Sequence, residues 1–484
     1  MFELSFLRKY LVPRKRQLSV TLIAFLSVGV ISAVVWLVLL FLSVTEGIEK
    51  TWLKKLTSIH APIRITPTHD YFSSYYYLAD TISQKTGYTA RSFTEKLKEP
   101  GIDPYDPGTD ESLPHFWPAP EKEADGTLRD PVIIAAKLLQ KRQDVEIAPF
   151  EMSGAVLKVQ LTRQTPQGGL THSFLTQASY LSSLPEKNSY IQELLTSQLL
   201  KNVERGVVLA KGFYDSGVRL GDRGWIQYQA STAGALQEQR LPVTVAGFYD
   251  PGVMSVGNKC ILASDDIVHM IRTSSPIEHF DKTASMGFCV WHQDLTKTRE
   301  LAYEIQQKFN EAGISKYWTI STYHDYEFSK DLMQQFQSDR YLFTFLGLIV
   351  LIVACSNIIS FLILLVQDKK KEIGILQALG ASKKSIAFIF GGCGAAIGLI
   401  SSFVGIGTAF LTLKNLDSIV KFLSFLQGHA AFNAAFYGNS LPSEMSVSAL
   451  LFVAIITPIL SLVAGLIPAR KATSLSPSEI LRSE

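Results

Sequence analysis

Four stretches of this chain carry no charged residue: Gln17–Thr45, Tyr341–Gln367, Ser385–Leu413 and Met445–Ala469. Each exceeds the roughly 20 residues that a helix needs to cross a hydrocarbon core about 30 Å thick. They are too long to be short buried helices of a soluble core, so the pattern predicts four membrane spans. The first follows basic residues, as a secretory leader does. Its apolar run is far longer than the roughly 7–15 residues of a leader's core. No small-x-small cleavage site precedes Thr45-Glu46-Gly47 either. It reads as an uncleaved anchor.

Basic residues near the spans set the expected orientation. The N-terminal 1–16 segment holds Arg8, Lys9, Arg14, Lys15 and Arg16. The 368–384 loop holds Lys369, Lys370, Lys371, Lys383 and Lys384, and the 470–484 tail holds Arg470, Lys471 and Arg482. The 414–444 loop has only Lys414 and Lys421. Both termini and the 368–384 loop are therefore expected in the cytoplasm, with 46–340 and 414–444 outside. The fold class that follows is an α-helical membrane domain of four transmembrane helices (17–45, 341–367, 385–413 and 445–469). A large mixed α/β periplasmic domain is inserted between helices 1 and 2. The net charge of +3 adds little to this bias and carries no nucleic-acid footprint.

Patterning fills in the rest. Phe2, Phe6 and Tyr10 at i, i+4 spacing suit a short cytoplasmic amphipathic segment lying in the interface. Ile48, Trp52 and Leu56 keep that spacing beyond the first span, and Phe328, Leu332 and Phe336 keep it before the second. Gln17–Thr45 alone is about 43 Å of helix at 1.5 Å per residue, so both spans are expected to continue as rigid stalks. In the outer domain "VEIAPFEMSGAVLKVQL" and "LPVTVAGFY" read as strands, and "RELAYEIQQKFNEAG" as a helix closed by glycine. Residues 67–130, rich in Pro, Gly and acid, are expected as a loop-rich insert. The tyrosine-dense "YFSSYYYLAD" within it suits either a contact surface or packing on its own domain.

Cys260 and Cys289 fall in strand-like runs, compatible with a disulfide in an oxidising compartment or with two buried thiols. Leu416, Ile419, Val420, Leu423 and Leu426 suggest a re-entrant or interfacial helix in the 414–444 loop. Gly394-x-x-x-Gly398 and Ser401-x-x-x-Gly405 predict close helix packing in the third span, and Pro458 a kink in the fourth.

Much chemistry is missing. The chain has no GxxxxGK[ST], HExxH or GxSxG string, and His60, His69, His115 and His172 lack metal-ligand spacing. No catalytic residue, metal site or cofactor is expected in this chain. None of the spans contains Asp, Glu, Lys, Arg or His, which ion-coupled carriers need at membrane depth. Energy for uphill movement must enter from another subunit.

The 368–384 loop is the natural place for that entry. In "KKKEIGILQALGASKK", Ile373, Leu376 and Leu379 follow i, i+3 spacing while Lys371 and Gln377 face water. Gly380 is placed to end the helix and Ser382 to cap the next span. Glu372, in the first turn, is free to pair with a basic residue on a partner. A lysine-rich turn obeying the charge bias would look the same, and patterning leaves the two open.

This segment resembles the coupling helix of four-span ABC permeases related to the macrolide-efflux and cell-division types, and more narrowly the lipoprotein-releasing (Lol-type) permeases. The V-x-DK-x-x-EI-x-IL…GAS string carries most of the likeness. The LSV-x-x-G-x-E ending of the first span and the PAR-x-A…P-x-E-x-LR tail add to it, covering about a third of the chain. The resemblance implies that Lys371, Glu372, Ile373, Leu376, Leu379 and Gly380 couple to an ATPase. It also places Ala230, Ser231, Thr232, Ala233, Gly234, Ala235 and Leu236 where the family recruits a soluble carrier. Trp36, Leu40, Phe41 and Val44, in the outer half of the first span, would line a lipid-facing cavity or pack the helix.

The implied partners are a cytoplasmic ABC ATPase dimer carrying ATP and Mg, a second permease subunit, a periplasmic lipoprotein carrier, lipoprotein substrates and membrane lipids. The implied setting is a bacterial inner membrane. Efflux of the macrolide-exporter type and a non-transporting relay controlling a periplasmic hydrolase remain as alternatives.

Overall fold

The computed structural model describes residues 18–117, 119–123, 126–165, 168–183, 188–201, 203–232, 235–252, 259–274, 282–429 and 443–473. The expected amphipathic segment at 1–16, residues 474–484 of the tail and 430–442 of the outer loop lie outside them.

Four described helices are long and apolar enough to cross a membrane: Leu18–His60, Glu327–Asp368, Lys383–Lys414 and Val447–Thr473. The first two have 43 and 42 residues, each about 60 Å at 1.5 Å per residue. The chain divides into two compact units, Trp52–Met333 and the remainder, and both divisions fall inside these long helices.

In the helical unit, Ile31, Val35 and Leu39 of the first helix and Leu351, Ile358 and Leu362 of the second are fully buried in one cluster. Their steps of four and seven residues are what one buried helix face requires. The small residues of the third helix now have identified neighbours. A Cβ on Gly394 would meet the Ser461 carbonyl oxygen at 2.5 Å, and one on Gly398 the Ser461 side chain, so this stretch lies against the fourth helix. A Cβ on Gly405 would strike Val35 and the Ser32 carbonyl of the first. The fourth helix runs on through Pro458. Leu416–Gln427 is helical and ends at Gly428, whose φ is +70°. Phe422, Phe425 and Leu426 on it are exposed.

Among its described residues the other unit has nine strands: β1 (Ile63–Pro67), β2 (Glu146–Thr165), β3 (Gly168–Ser182), β4 (Gly206–Ala210), β5 (Arg223–Thr232), β6 (Ala235–Tyr249), β7 (Cys260–Ala263), β8 (Met286–Trp291) and β9 (Trp318–Thr322). Their order is β3-β7-β4-β6-β5-β2-β8-β1-β9, and β3 also pairs with β2. The first six strands therefore close into a ring, which removes their exposed edges. Inside it lie Leu157, Tyr180, Ile226, Val243 and Ile261, joined by Ile267, Val268 and Ile271 of the helix Asp265–Ser274.

The long strand β2 serves two sheets. Its second half belongs to the ring, while Glu146–Glu151 pairs with β8. Strand β8 lies between β1 and β2 and is buried at every position. The helix Thr298–Glu311 buries Leu301, Ile305 and Phe309 in the core of this second sheet.

The 67–130 insert departs from expectation. It contains the helices His69–Phe72, Tyr75–Ile82 and Phe93–Lys98 instead of loop alone, the last held by a capping box between Ser92 and Glu95. Tyr71, Tyr75 and Tyr76 are buried with Phe93 in the second core. Burying these rings outweighs the local bias of the Pro and Gly residues around them. The fully buried Lys96 ammonium lies 3.1 Å from Asp130 and 3.5 Å from Asp80. Burial works against its charge, but Asp130 and its neighbours hold its pKa well above the usual lysine range. Cys260 and Cys289 are buried, unbonded thiols, pushed up to about 11 by burial.

Candidate functional site

The 368–384 segment folds as a helix, Lys370–Ala378, between the second and third spanning helices. A single residue, Lys369, separates it from the second (φ −96°, ψ 13°). Its far end is closed by paired backbone bonds: Gly380 N–H donates to Gln377 O at 3.0 Å and Ala381 N–H to Leu376 O at 2.9 Å. This closure needs a left-handed residue, and Gly380 supplies it at φ +92°. Ser382 Oγ then accepts from Ser385 N–H, capping the third spanning helix.

The expected coupling residues do not share one face. Ile373 and Leu376 are buried, Ile373 within the core of the helical unit. Leu379 is 80% exposed, as are Lys371 and Gly380 in large part. Two exposed residues outside the expected set, Ile375 and Ala378, complete the outer face. Positions 371, 375, 378 and 379 fall at i, i+4, i+7 and i+8, a single helical stripe. Glu372 also differs from expectation. It is not free for a partner's basic residue, because Lys369 Nζ lies 3.3 Å from its carboxylate and the same distance from Asp368. The helix is thus fixed inward by two aliphatic side chains and presents a narrow apolar strip flanked by lysine.

The residues expected to line a cavity also separate. Trp36 Nε1–H donates to Thr412 Oγ1 at 2.9 Å, tying the first helix to the third. Leu40 and Val44 are partly buried. Phe41 is 50% exposed, its ring centroid 6.0 Å from that of Phe343. Leu37, one turn earlier, continues that exposed stripe and was not among the expected residues. Glu49, which closes the LSV-x-x-G-x-E string, receives Arg340 at 2.6 Å from the second helix.

The described residues of the 230–236 segment belong to strands. Strand β5 runs to Thr232 and β6 starts at Ala235, with Thr232 opposite Ala235, Ser231 opposite Leu236 and Ala230 opposite Gln237. Ala233 and Gly234 lie outside the described residues. Ala230 is buried, while Leu236 is exposed near the hairpin tip.

Comparison with known proteins places these features in context. Residues 344–477 match the FtsX-like permease C-terminal family, a span that includes the Lys370–Ala378 helix. The chain is 33% identical to the lipoprotein-releasing system transmembrane protein LolE of Haemophilus influenzae, over 28% of this chain and 33% of that protein. It is 34% identical to LolC of Neisseria meningitidis, over 30% of this chain and 35% of that protein. Against LolC of Xylella fastidiosa the likeness is weaker, 22%, but runs over 70% of this chain and 77% of the relative. The chain thus spans about a third of the length of the first two relatives. These matches support the resemblance to Lol-type ABC permeases read from the sequence.

Proposed function

We propose that this chain is a permease subunit of an ATP-driven complex that extracts lipoproteins from a bacterial inner membrane and passes them to a periplasmic carrier. The observation that carries the reading is the helix Lys370–Ala378, anchored inward by Ile373 and Leu376 and bearing Lys371, Ile375, Ala378 and Leu379 outward. In this reading a separate ATPase, holding ATP and Mg, seats against that stripe. Both termini lie in the cytoplasm and Trp52–Met333 in the periplasm.

The helix has only one residue between it and the second spanning helix, so a push on it is passed along Glu327–Asp368. An external motor suits the energetics. At ~0.8 kcal/mol per buried CH₂, withdrawing several acyl chains from a bilayer costs tens of kcal/mol unless apolar surface receives them. The exposed Leu37 and Phe41 offer part of such a surface, and a second permease subunit would supply the rest.

The test is release of radiolabelled lipoprotein from vesicles containing this chain and its ATPase. Release that requires both ATP and a soluble carrier supports the proposal. Absence of release under every condition refutes it and leaves efflux or hydrolase control to be assayed in its place.

A further inference from the structure

A cleft of about 860 Å³ lies between the Tyr-containing insert and the outer side of the strand ring. Its floor includes Gln177 on β3, Val156 on β2 and Gln227 and Gln229 on β5, and Tyr77 and Tyr88 of the insert line the opposite side. At this place the sheet comes apart. Strand β2 pairs with β5 from Gln160–Arg223 as far as Val156–Gln227, and the ladder stops there. The next pairs in register would be Ala155 with Tyr228 and Gly154 with Gln229, and all four residues line the cleft. Below the gap β2 has moved to β8, where pairing resumes with Glu151 opposite Met286.

Alternation shows where the backbone groups at the gap point. Met152 N–H donates to Ser285 O at 2.7 Å, on the side away from β3. Ser179, opposite Gly154 on β3, donates its N–H to Lys259 O at 2.7 Å and not to β2. With a period of two, Gly154 therefore directs its N–H and C=O away from β3, towards the opening. Gln229, two residues beyond Gln227, directs its own towards the same opening. Two strand edges that would pair with each other are held apart, with room between them.

The surroundings select the occupant. Both charged groups on the lining are already engaged within the chain: Arg272 with Glu151 at 3.0 Å and Glu238 with Arg240 at 3.0 Å. What remains is neutral and amide-rich, since Gln177, Gln227 and Gln229 each donate and accept. Arg272 Nε–H is buried without an acceptor, which a carbonyl would supply. Tyr88 stands 60% exposed with its backbone at φ +61°, a conformation that residues other than glycine rarely adopt. That conformation belongs to the turn closing Gln84–Thr86, where Gly87 is also left-handed and Tyr88 N–H donates to Ser83 O at 3.0 Å, and it leaves the ring lining the cleft.

We propose that this cleft takes up an extended, uncharged stretch of the transported polypeptide as an added strand between β2 and β5. The identity of the occupant rests on the lipoprotein-release reading; the strand site itself does not.

The experiment uses the full chain in lipid nanodiscs and a fluorescein-labelled peptide of alternating Thr, Val, Ser and Gln, followed by anisotropy. Two further peptides carry N-methyl groups on alternate backbone amides, one on each parity. Saturable binding that falls at least tenfold for one parity and is unchanged for the other is the expected result. Tyr88→Ala and Gln229→Pro should each weaken binding of the parent peptide by a similar factor. Gln229 N–H is outside the β5–β6 ladder by the same alternation, so proline there should leave the melting temperature of the ring unchanged. Tyr88→Ala, outside the strands, serves if it does not.

No binding, equal loss for both parities, or indifference to Tyr88→Ala overturns the proposal. So does binding only of an acylated version with no effect of N-methylation, which would mean the site reads lipid. ATP-driven lipoprotein release without peptide binding removes this inference and spares the function. Parity-dependent binding without release in any condition supports the strand site and removes the lipoprotein occupant.

Discussion

Replacing Gly394 by alanine tests how the spanning helices are held together. A Cβ there would sit 2.5 Å from the Ser461 carbonyl oxygen and 3.1 Å from Gly465 Cα. Both obstacles are backbone of the fourth helix, so no rotamer change relieves them. Ordinary contact begins at 3.4 Å, and 3.4 − 2.5 = 0.9 Å is the separation the two helices must find. Overpacking of this kind costs about 1–3 kcal/mol. Alanine in place of glycine recovers up to about 1 kcal/mol of helix propensity. Gly407, on the same helix, has nothing within 4 Å of where an added methyl group would stand, so Gly407→Ala keeps only the gain. The two variants should therefore differ by about 1–3 kcal/mol, with Gly394→Ala the weaker. Unfolding in mixed micelles titrated with a denaturing detergent measures this directly. A second arm uses Gly398→Ala, whose Cβ would lie 2.5 Å from Ser461 Cβ; Ser461→Gly removes that obstacle and should restore stability in the double variant. Coincident transitions for Gly394→Ala and Gly407→Ala would refute the packing argument.

Ile375→Asp and Leu379→Asp should reduce ATPase co-purification at least tenfold with the melting temperature unchanged. Ile373→Ala should instead destabilise the helical unit by about 2–5 kcal/mol; normal ATPase assembly of Leu379→Asp would remove the proposed stripe. Burial pushes the Glu151 carboxyl up, but the hydrogen bond with His269 and the charge of Arg272 outweigh it, leaving its pKa below the ordinary 4.5. A carboxylate depressed in the folded state contributes stability in full above its unfolded value and loses it as pH falls through the folded one. Glu151→Gln should accordingly lower the melting temperature at neutral pH and flatten its decline below about pH 4.5, read by calorimetry. Cys260 and Cys289, buried and raised to about 11, should resist maleimide at neutral pH until the chain is unfolded, as mass spectrometry of the labelled peptides will show.

The four apolar stretches were legible because charge inside a hydrocarbon layer is expensive, so composition alone marks them. Patterning left helix or turn open at 368–384, but the stop at Gly380 and the cap at Ser382 were legible, because their roles are local. The outward face of the helix was not. Ile373, Ile375, Leu376 and Leu379 are all apolar, and periodicity does not say which side meets the bundle. The helices of the insert were obscured by Pro and Gly, although packing of the tyrosine-dense stretch on its own domain was one of the two readings its composition allowed, and Tyr71, Tyr75 and Tyr76 are buried in that way. The pairing of Ala230–Thr232 with Ala235–Gln237 was hidden because strand pairing is decided by a neighbour.

Local chemistry in the sequence thus determined the number of spans, the end of the short helix at Gly380 and the small residues where helices meet. Tertiary structure alone decided that six strands close on themselves, that Ile375 and not Ile373 faces outward, and that β2 leaves β5 at Val156. The reason is physical. Solvation and backbone conformation act on a residue where it stands, whereas ring closure, face selection and an opened ladder depend on segments far apart in the chain meeting in one register.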